Sequence, residues 1–190
     1  HLRKTKSLEE LMQVIPPSTY RILLESYANG IAPVFIEDFE RVIITLLRRE
    51  SSKVLAEYFD VKEGLENRIY ECGNKCNSIE DLCYCIKSKR YTLTRIQRTC
   101  IHILLNIKGK ELTQFNRQGG PQYIRVLGLN NKGREILKLC KSNSNLPIVN
   151  KISQYIPSNE TAKAMLDLDI RASNIYGLAL KSQYFSTKSM

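Results

Sequence analysis

The stretch Lys87–His102 reads Lys-Ser-Lys-Arg-Tyr-Thr-Leu-Thr-Arg-Ile-Gln-Arg-Thr-Cys-Ile-His and decides how the middle of the chain folds. From Thr92 onward, apolar residues recur every three or four positions, a spacing that places them on one face of an α-helix. The residues of that face are Leu93, Ile96, Cys100, Ile103, Leu104 and Ile107. The stretch therefore predicts an amphipathic helix from Thr92 to about Ile107 that packs through this face.

The opposite face of that helix, together with the turn before it, is basic. Residues 87–98 contain five cations and no acid. Cations are unfavourable beside the positive N-terminal end of a helix, so this grouping indicates a bound phosphate, to which backbone N–H groups at the helix start would add. A solvated basic turn is the alternative for any single cation. The candidate RNA-binding residues here are Lys87, Lys89, Arg90, Tyr91, Arg95, Arg98 and His102, with Tyr91 as a stacking partner for a base or ribose.

The excess positive charge of the whole chain lies in its middle. Between Leu82 and Asn159 there are fourteen basic and two acidic residues, whereas the rest of the chain has fifteen basic and seventeen acidic residues. A basic segment in an otherwise balanced protein indicates a polyanionic partner. We therefore extend the RNA-binding prediction to Arg125, Lys132 and Arg134.

Helical spacing recurs along nearly the whole chain, which predicts a mainly α fold. The exception lies near 122–149, where residues 122–127 and 146–149 are rich in β-branched or aromatic side chains and flank a helix from about 131 to 141. This order predicts a small βαβ element with two short parallel strands. We predict N-terminal helices over 1–60, a helical domain with the βαβ insert and the basic RNA-binding surface over 61–185, and a tail over 186–190.

Capping patterns and apolar spacing predict the remaining helix boundaries. Ser7-x-x-Glu10 and Ser78-x-x-Asp81 are typical of helix starts, because the serine side chain accepts a hydrogen bond from a backbone N–H of the first turn. The further predicted helices cover about 18–28, 36–49, 51–58, 63–75, 78–88 and 158–181.

Several classes of protein are disfavoured. No apolar run reaches the roughly 18 residues of a membrane span, and no apolar signal region follows the N-terminus, so we expect a cytoplasmic protein without membrane contact. Without a secretion signal, the six cysteines are expected to be free buried thiols. Cys72-x3-Cys76 and Cys83-x-Cys85 depart from zinc-knuckle spacing, so no metal ligand is assigned.

The sequence offers no catalytic constellation. Its two histidines, His1 and His102, cannot form a His-x-Gly-His signature, and phosphate-binding glycine motifs are absent from the sequence. His102 lies two residues from Cys100 and faces another direction on the helix, which disfavours a Cys–His pair. Asp167-x-Asp169 is interpreted as a helix surface with a salt bridge to Arg171. No catalytic or cofactor-binding residue is assigned.

Six segments of the chain carry a family resemblance. In order, they are residues 63–69, 87–98, 123–128, 132–134, 146–148 and 168–173. Together they resemble the C-terminal half of the bacterial tRNA(Met) cytidine acetate ligases, over about residues 1–185. The segment 89–98 is the most specific part of the resemblance.

That resemblance implies a two-part, ATP-dependent ligase. A nucleotidyltransferase-like N-terminal domain with a His-x-Gly-His motif would activate acetate as acetyl-adenylate and pass it to N4 of the wobble cytidine of elongator tRNA(Met). On this interpretation the present chain is a non-catalytic C-terminal part that binds tRNA. ATP and acetate would bind a missing N-terminal domain, the chain's other partner, and no cofactor would bind here.

Two other functions are compatible with the same residues. A helical interaction module would dock its basic face on an acidic protein surface, such as the missing domain. A DNA-binding module would place the helix with Arg95, Arg98 and His102 in a major groove.

Overall fold

The computed structural model describes residues 8–180, and most of them are helical. This confirms the predicted mainly α class. Within that range the α-helices are α1 (Pro17–Ala28), α2 (Glu40–Arg49), α3 (Ser52–Leu55), α4 (Leu65–Lys75), α5 (Ile79–Ile86), α6 (Leu93–Leu104), α7 (Gly109–Arg117), α8 (Asn131–Asn143) and α9 (Glu160–Leu178). Short 3-10 helices cover Glu9–Gln13, Ile36–Phe39 and Ile152–Gln154.

Side-chain caps fix the starts of the helices around the basic segment. Ser78 Oγ accepts a hydrogen bond from Asp81 N (3.0 Å) at the start of α5, and Thr92 Oγ1 accepts one from Arg95 N (3.4 Å) at α6. Each cap satisfies a first-turn N–H that has no partner inside its helix. Both starts agree with the prediction, whereas Ser7 of the other predicted capping box lies outside the described residues.

The main core is built by α2 to α6, which contact one another. Ile43 and Leu47 of α2, Leu55 of α3 and Leu65 of α4 have no exposed surface and belong to one apolar cluster. This common core includes residues on both sides of position 60. The predicted division at position 60 into N-terminal helices and a helical domain stays a prediction.

A parallel strand pair follows this core in the chain. β1 (Ile124–Arg125) pairs with β2 (Ile148–Val149), with Ile124 opposite Ile148, and α8 forms the connection. This confirms the predicted pair of short parallel strands. The pairing is shorter than the predicted segments, partly because Pro147 has no N–H to donate to a longer ladder.

Helix α7 was not predicted from the sequence. It has no side-chain cap, and its first residue is instead fixed by a hydrogen bond from Gly109 N to Glu57 O (2.8 Å). Its apolar Phe115 is buried. A helix start that depends on a loop fifty residues earlier has no local sequence signal.

The cysteines correct a further prediction. Cys72 of α4 and Cys85 of α5 form a disulfide, because the packing of these helices brings their Cα atoms to 5.9 Å. Cys83 and Cys100 are buried outside this disulfide, and a hydrogen bond from the Cys100 thiol to Cys83 together with burial raises the pKa of Cys100. The prediction of free thiols is therefore wrong for Cys72 and Cys85.

The described residues contain neither a metal-binding cluster nor a membrane-spanning helix. Within 8–180, no group of three or more His, Cys, Asp or Glu side chains could hold a metal ion. Over the same range, no helix is long and apolar enough to cross a membrane. The predicted tail, residues 186–190, lies outside the described part of the chain.

Candidate RNA-binding surface

The basic face of α6 contacts a loop of the same chain. Arg95 Nη2 donates to the backbone oxygen of Asp60 (3.0 Å) and lies 3.4 Å from its Oδ1. Arg98 Nη2 donates to Asp60 Oδ2 at 2.6 Å. One carboxylate thus holds two of the arginines that we predicted to bind RNA.

His102 completes this contact one turn further along α6. Its Nδ1–H donates to the backbone oxygen of Phe59 (3.2 Å), and its ring lies 5.4 Å from the Phe59 ring, tilted by 60°. Burial lowers the pKa of His102 and Arg98 adds to the lowering, while the Phe59 carbonyl and Asp60 oppose it. The histidine therefore favours its neutral form and anchors the loop.

The anchored loop has an unusual backbone conformation at its centre. Asp60 has a φ of 68°, in the left-handed region that residues other than glycine seldom adopt. The two arginines bind Asp60 itself, and the histidine binds the backbone oxygen of the preceding residue, Phe59. The contacts on α6 therefore give Arg95, Arg98 and His102 a structural role that the sequence analysis missed, since nothing near Asp60 in the sequence marks it as their partner.

Tyr91 is not available for stacking on RNA. It is 5% exposed, and its hydroxyl donates to the backbone oxygen of Glu63 (2.7 Å). Arg95 lies over its ring, with the guanidinium carbon 5.4 Å from the ring centroid. The predicted stacking role of Tyr91 is wrong for this physical reason.

The turn before α6 is more open. Lys87 and Lys89 are exposed, and Lys87 lies 5.7 Å from the ring centroid of Tyr84. Arg90 forms an ion pair with Glu63 at 3.4 Å in which both side chains are more than half exposed, so the pair is weak. These three cations remain accessible to an anionic partner.

The remaining predicted residues lie on the strand pair and α8. Arg125 of β1 pairs with Asp169 of α9 at 3.6 Å, and Tyr123 donates to the same carboxylate at 2.7 Å. Burial and this hydrogen bond raise the pKa of Tyr123. Asp169 therefore pairs with Arg125, where we had predicted Arg171. Lys132 and Arg134, in the first turn of α8, are exposed.

A cavity of about 510 Å³ lies beside the ends of β1 and β2. Its cations are Arg125 and Lys151, and Arg125 is already paired with Asp169. The cavity thus offers little free positive charge for a triphosphate. We therefore assign no ATP-contacting residue among those described.

Comparison with known proteins places the chain in a family. The family model described as HIGH Nucleotidyl Transferase matches residues 1–189. The chain belongs to this family of nucleotidyltransferases.

Individual relatives agree with that assignment. The chain is 46% identical over 186 residues to the tRNA(Met) cytidine acetate ligase of Alkaliphilus metalliredigens, which covers 98% of this chain and 44% of that ligase. It is 45% identical over 177 residues to the ligase of the same name from Thermoanaerobacter sp., covering 93% of this chain and 43% of the relative. The chain thus spans less than half the length of these relatives.

Solved structures give the same result. The apo crystal structure of Thermotoga maritima TmcAL has a TM-score of 0.86 and 30% identity, covering 95% of this chain and 45% of that one. The structure of the same protein bound with alpha-thio ATP has a TM-score of 0.87 and 29% identity, covering 96% and 46%.

These findings correct three predictions. The nucleotidyltransferase model matches this chain itself along residues 1–189, so the prediction of a C-terminal region whose nucleotidyltransferase part is missing is wrong. The description of the chain as a non-catalytic segment is contradicted by the same match and by its ligase relatives. The restriction of ATP to a missing domain is also contradicted, since a matched structure contains an ATP analogue.

Proposed function

We propose that this chain belongs to a protein that ligates acetate to a cytidine of tRNA(Met), with ATP as co-substrate. The observation that carries the proposal is the 46% identity over 98% of the chain to a relative of that name. The similarity to a protein crystallised with alpha-thio ATP supports the choice of ATP. A cytoplasmic location remains a prediction.

The confined basic segment supports tRNA as the substrate. Lys87, Lys89 and Arg90 are exposed at the turn before α6, and Lys132 and Arg134 are exposed on α8. Exposed cations bind phosphate oxygens without reading sequence, which suits contacts to the backbone of a folded RNA. We propose these five residues as tRNA contacts.

The engagement of α6 argues against the DNA-binding alternative. A recognition helix must present free side chains to base edges in the major groove. Arg95 instead binds the backbone oxygen of Asp60, and Arg98 binds its carboxylate. His102 binds the backbone oxygen of Phe59. The face that would enter DNA is occupied by the protein's own loop.

A direct test of the proposed function is acetate transfer. The protein is incubated with tRNA(Met), ATP and isotopically labelled acetate, and the RNA is digested to nucleosides for mass spectrometry. We expect labelled acetylcytidine that depends on ATP and is absent when another tRNA replaces tRNA(Met). Digests without labelled acetylcytidine, from protein that is folded by circular dichroism, would contradict the proposal.

A further inference from the structure

A second cleft, of about 850 Å³, lies between the loop of residues 56–62 and helix α7. Two backbone hydrogen bonds join its walls: Gly109 N donates to Glu57 O (2.8 Å), and Phe59 N donates to Ile107 O (3.0 Å). A Cβ atom at position 109 would lie 3.5 Å from Glu57 O, so the walls are in close contact there. These contacts therefore hold the loop and the start of α7 in fixed positions at the base of the cleft.

The acidic side chains of the cleft's loop wall already have basic partners. Glu57 lies 3.5 Å from Lys108 Nζ, and Asp60 holds Arg95 and Arg98. These ion pairs leave the loop without a free carboxylate facing the cleft. An anion entering the cleft thus meets little repulsion from this wall.

Three cations in the lining remain free. Lys62, Lys110 and Arg117 line the cleft and are exposed, and none has an acidic partner among residues 8–180. Lys110 lies in the first turn of α7 beside Glu111, which does not line the cleft. The charge of the cleft is therefore suited to phosphate groups.

The cleft also contains an accessible aromatic ring. Phe59 is 38% exposed, and its backbone is held by Ile107 on one side and by His102 on the other. The neighbouring Tyr58 is buried, and Lys108 Nζ lies 3.6 Å from its ring centroid. Phe59 is thus the ring of this loop that a base can reach.

We propose that this cleft binds an unpaired stretch of RNA, with Lys62, Lys110 and Arg117 on backbone phosphates and Phe59 stacked on a base. Free cations beside an exposed aromatic ring are the features that bind single-stranded nucleic acid. An RNA duplex can make the phosphate contacts but cannot stack on Phe59, because its bases are stacked on one another. The inference rests on the proposed function, since the unpaired loops of tRNA(Met) supply such a stretch.

The phosphate contacts are tested by binding of a fluorescently labelled tRNA(Met) transcript. The double variant Lys110→Glu with Arg117→Glu is expected to bind about tenfold more weakly or worse, with a shallower dependence on salt. The matched control is Arg41→Glu with Lys75→Glu, which makes the same change in net charge at exposed residues that do not line the cleft. Equal losses in both double variants, or no loss in the first, overturn the proposal.

The stacking contact is tested by Phe59→Leu, which keeps an apolar side chain against His102. Loss of one stacked base is expected to weaken tRNA binding about fivefold or more. A blunt RNA duplex should bind the wild-type protein more weakly than tRNA and be unaffected by the substitution. A duplex that competes as well as tRNA, or a folded variant that binds tRNA like the wild type, overturns the proposed stacking on an unpaired base.

The outcomes separate this inference from the proposed function. If acetylcytidine forms but the cleft variants bind tRNA normally, the cleft assignment fails and the proposed function stands. If no acetylcytidine forms but the cleft variants lose binding, the RNA site stands and the proposed reaction fails. A wild-type protein that binds no RNA overturns the cleft assignment.

Discussion

At the scale of single residues, Asp60 organises the site. Its carboxylate forms ion pairs with both Arg95 and Arg98, and its backbone oxygen accepts a hydrogen bond from Arg95. These contacts hold Asp60 at its φ of 68°. Arg95 has a buried Nε atom without a hydrogen-bond partner. Loss of the carboxylate would leave a largely buried guanidinium without its counter-charge.

The substitution Asp60→Asn tests this role. Asparagine tolerates a positive φ, so the change removes charge with little backbone strain. We expect the free energy of unfolding to fall by about 1.5–3 kcal/mol, the usual contribution of hydrogen bonds to charged groups. Urea denaturation measures the effect. Asp167→Asn, at an exposed position of α9, is the control and should change stability little; equal stabilities of both variants would argue against the Asp60 contact.

The lowered pKa of His102 predicts that the stability of the protein depends on pH. Burial lowers its pKa in the folded protein below the ordinary value of 6.5, so the folded state binds a proton less readily than the unfolded state. Stability is therefore fully present above about pH 6.5 and is lost as the pH falls toward the folded pKa. Unfolding curves of the wild type and of His102→Asn between about pH 7 and pH 5 should diverge, the variant losing less stability. Parallel curves would show that His102 does not titrate as described.

At the scale of elements, the crossing of α2 and α4 depends on a glycine. A Cβ atom at position 73 would lie 2.9 Å from the Cβ of Leu47, which has no exposed surface. Alanine favours a helix by about 1 kcal/mol over glycine, but overpacking a tight crossing costs about 1–3 kcal/mol. The steric cost of the contact with Leu47 should therefore exceed the gain in helix propensity.

Gly73→Ala is therefore expected to destabilise the protein, as measured by thermal or urea unfolding. The control is Gly177→Ala in α9, where a Cβ atom would meet nothing within 4 Å. That variant should be as stable as the wild type or more stable, because only the helix propensity changes. A stabilised Gly73→Ala variant would contradict the close packing of α2 on α4.

Elements with local signals could be predicted from the sequence. Ser78 and Thr92 mark helix starts through side-chain caps, and β1 and β2 were evident from their β-branched residues. Helix α7 could not be predicted, because its first residue is held by Glu57 rather than by a local cap. The Cys72–Cys85 bond likewise depends on how α4 and α5 pack.

At the scale of the whole molecule, the charge distribution was predictable but the free cations were not. The sequence placed the positive excess between Leu82 and Asn159, yet Arg95 and Arg98 pair with Asp60, which precedes them by more than thirty residues. Lys110 and Arg117 were counted only as part of that excess, and they remain unpaired among the described residues. Ion pairs between residues that are far apart in the sequence decide which cations are free to bind a partner.

We propose a protein that binds tRNA through exposed cations that contact the RNA backbone. Phosphate contacts release counterions, so affinity must fall as salt is added. The most direct measurement is the dissociation constant for tRNA(Met) at about 50 mM and about 300 mM salt, and we predict a loss of affinity of at least about tenfold. Nearly identical dissociation constants at the two salt concentrations would contradict binding through phosphate contacts.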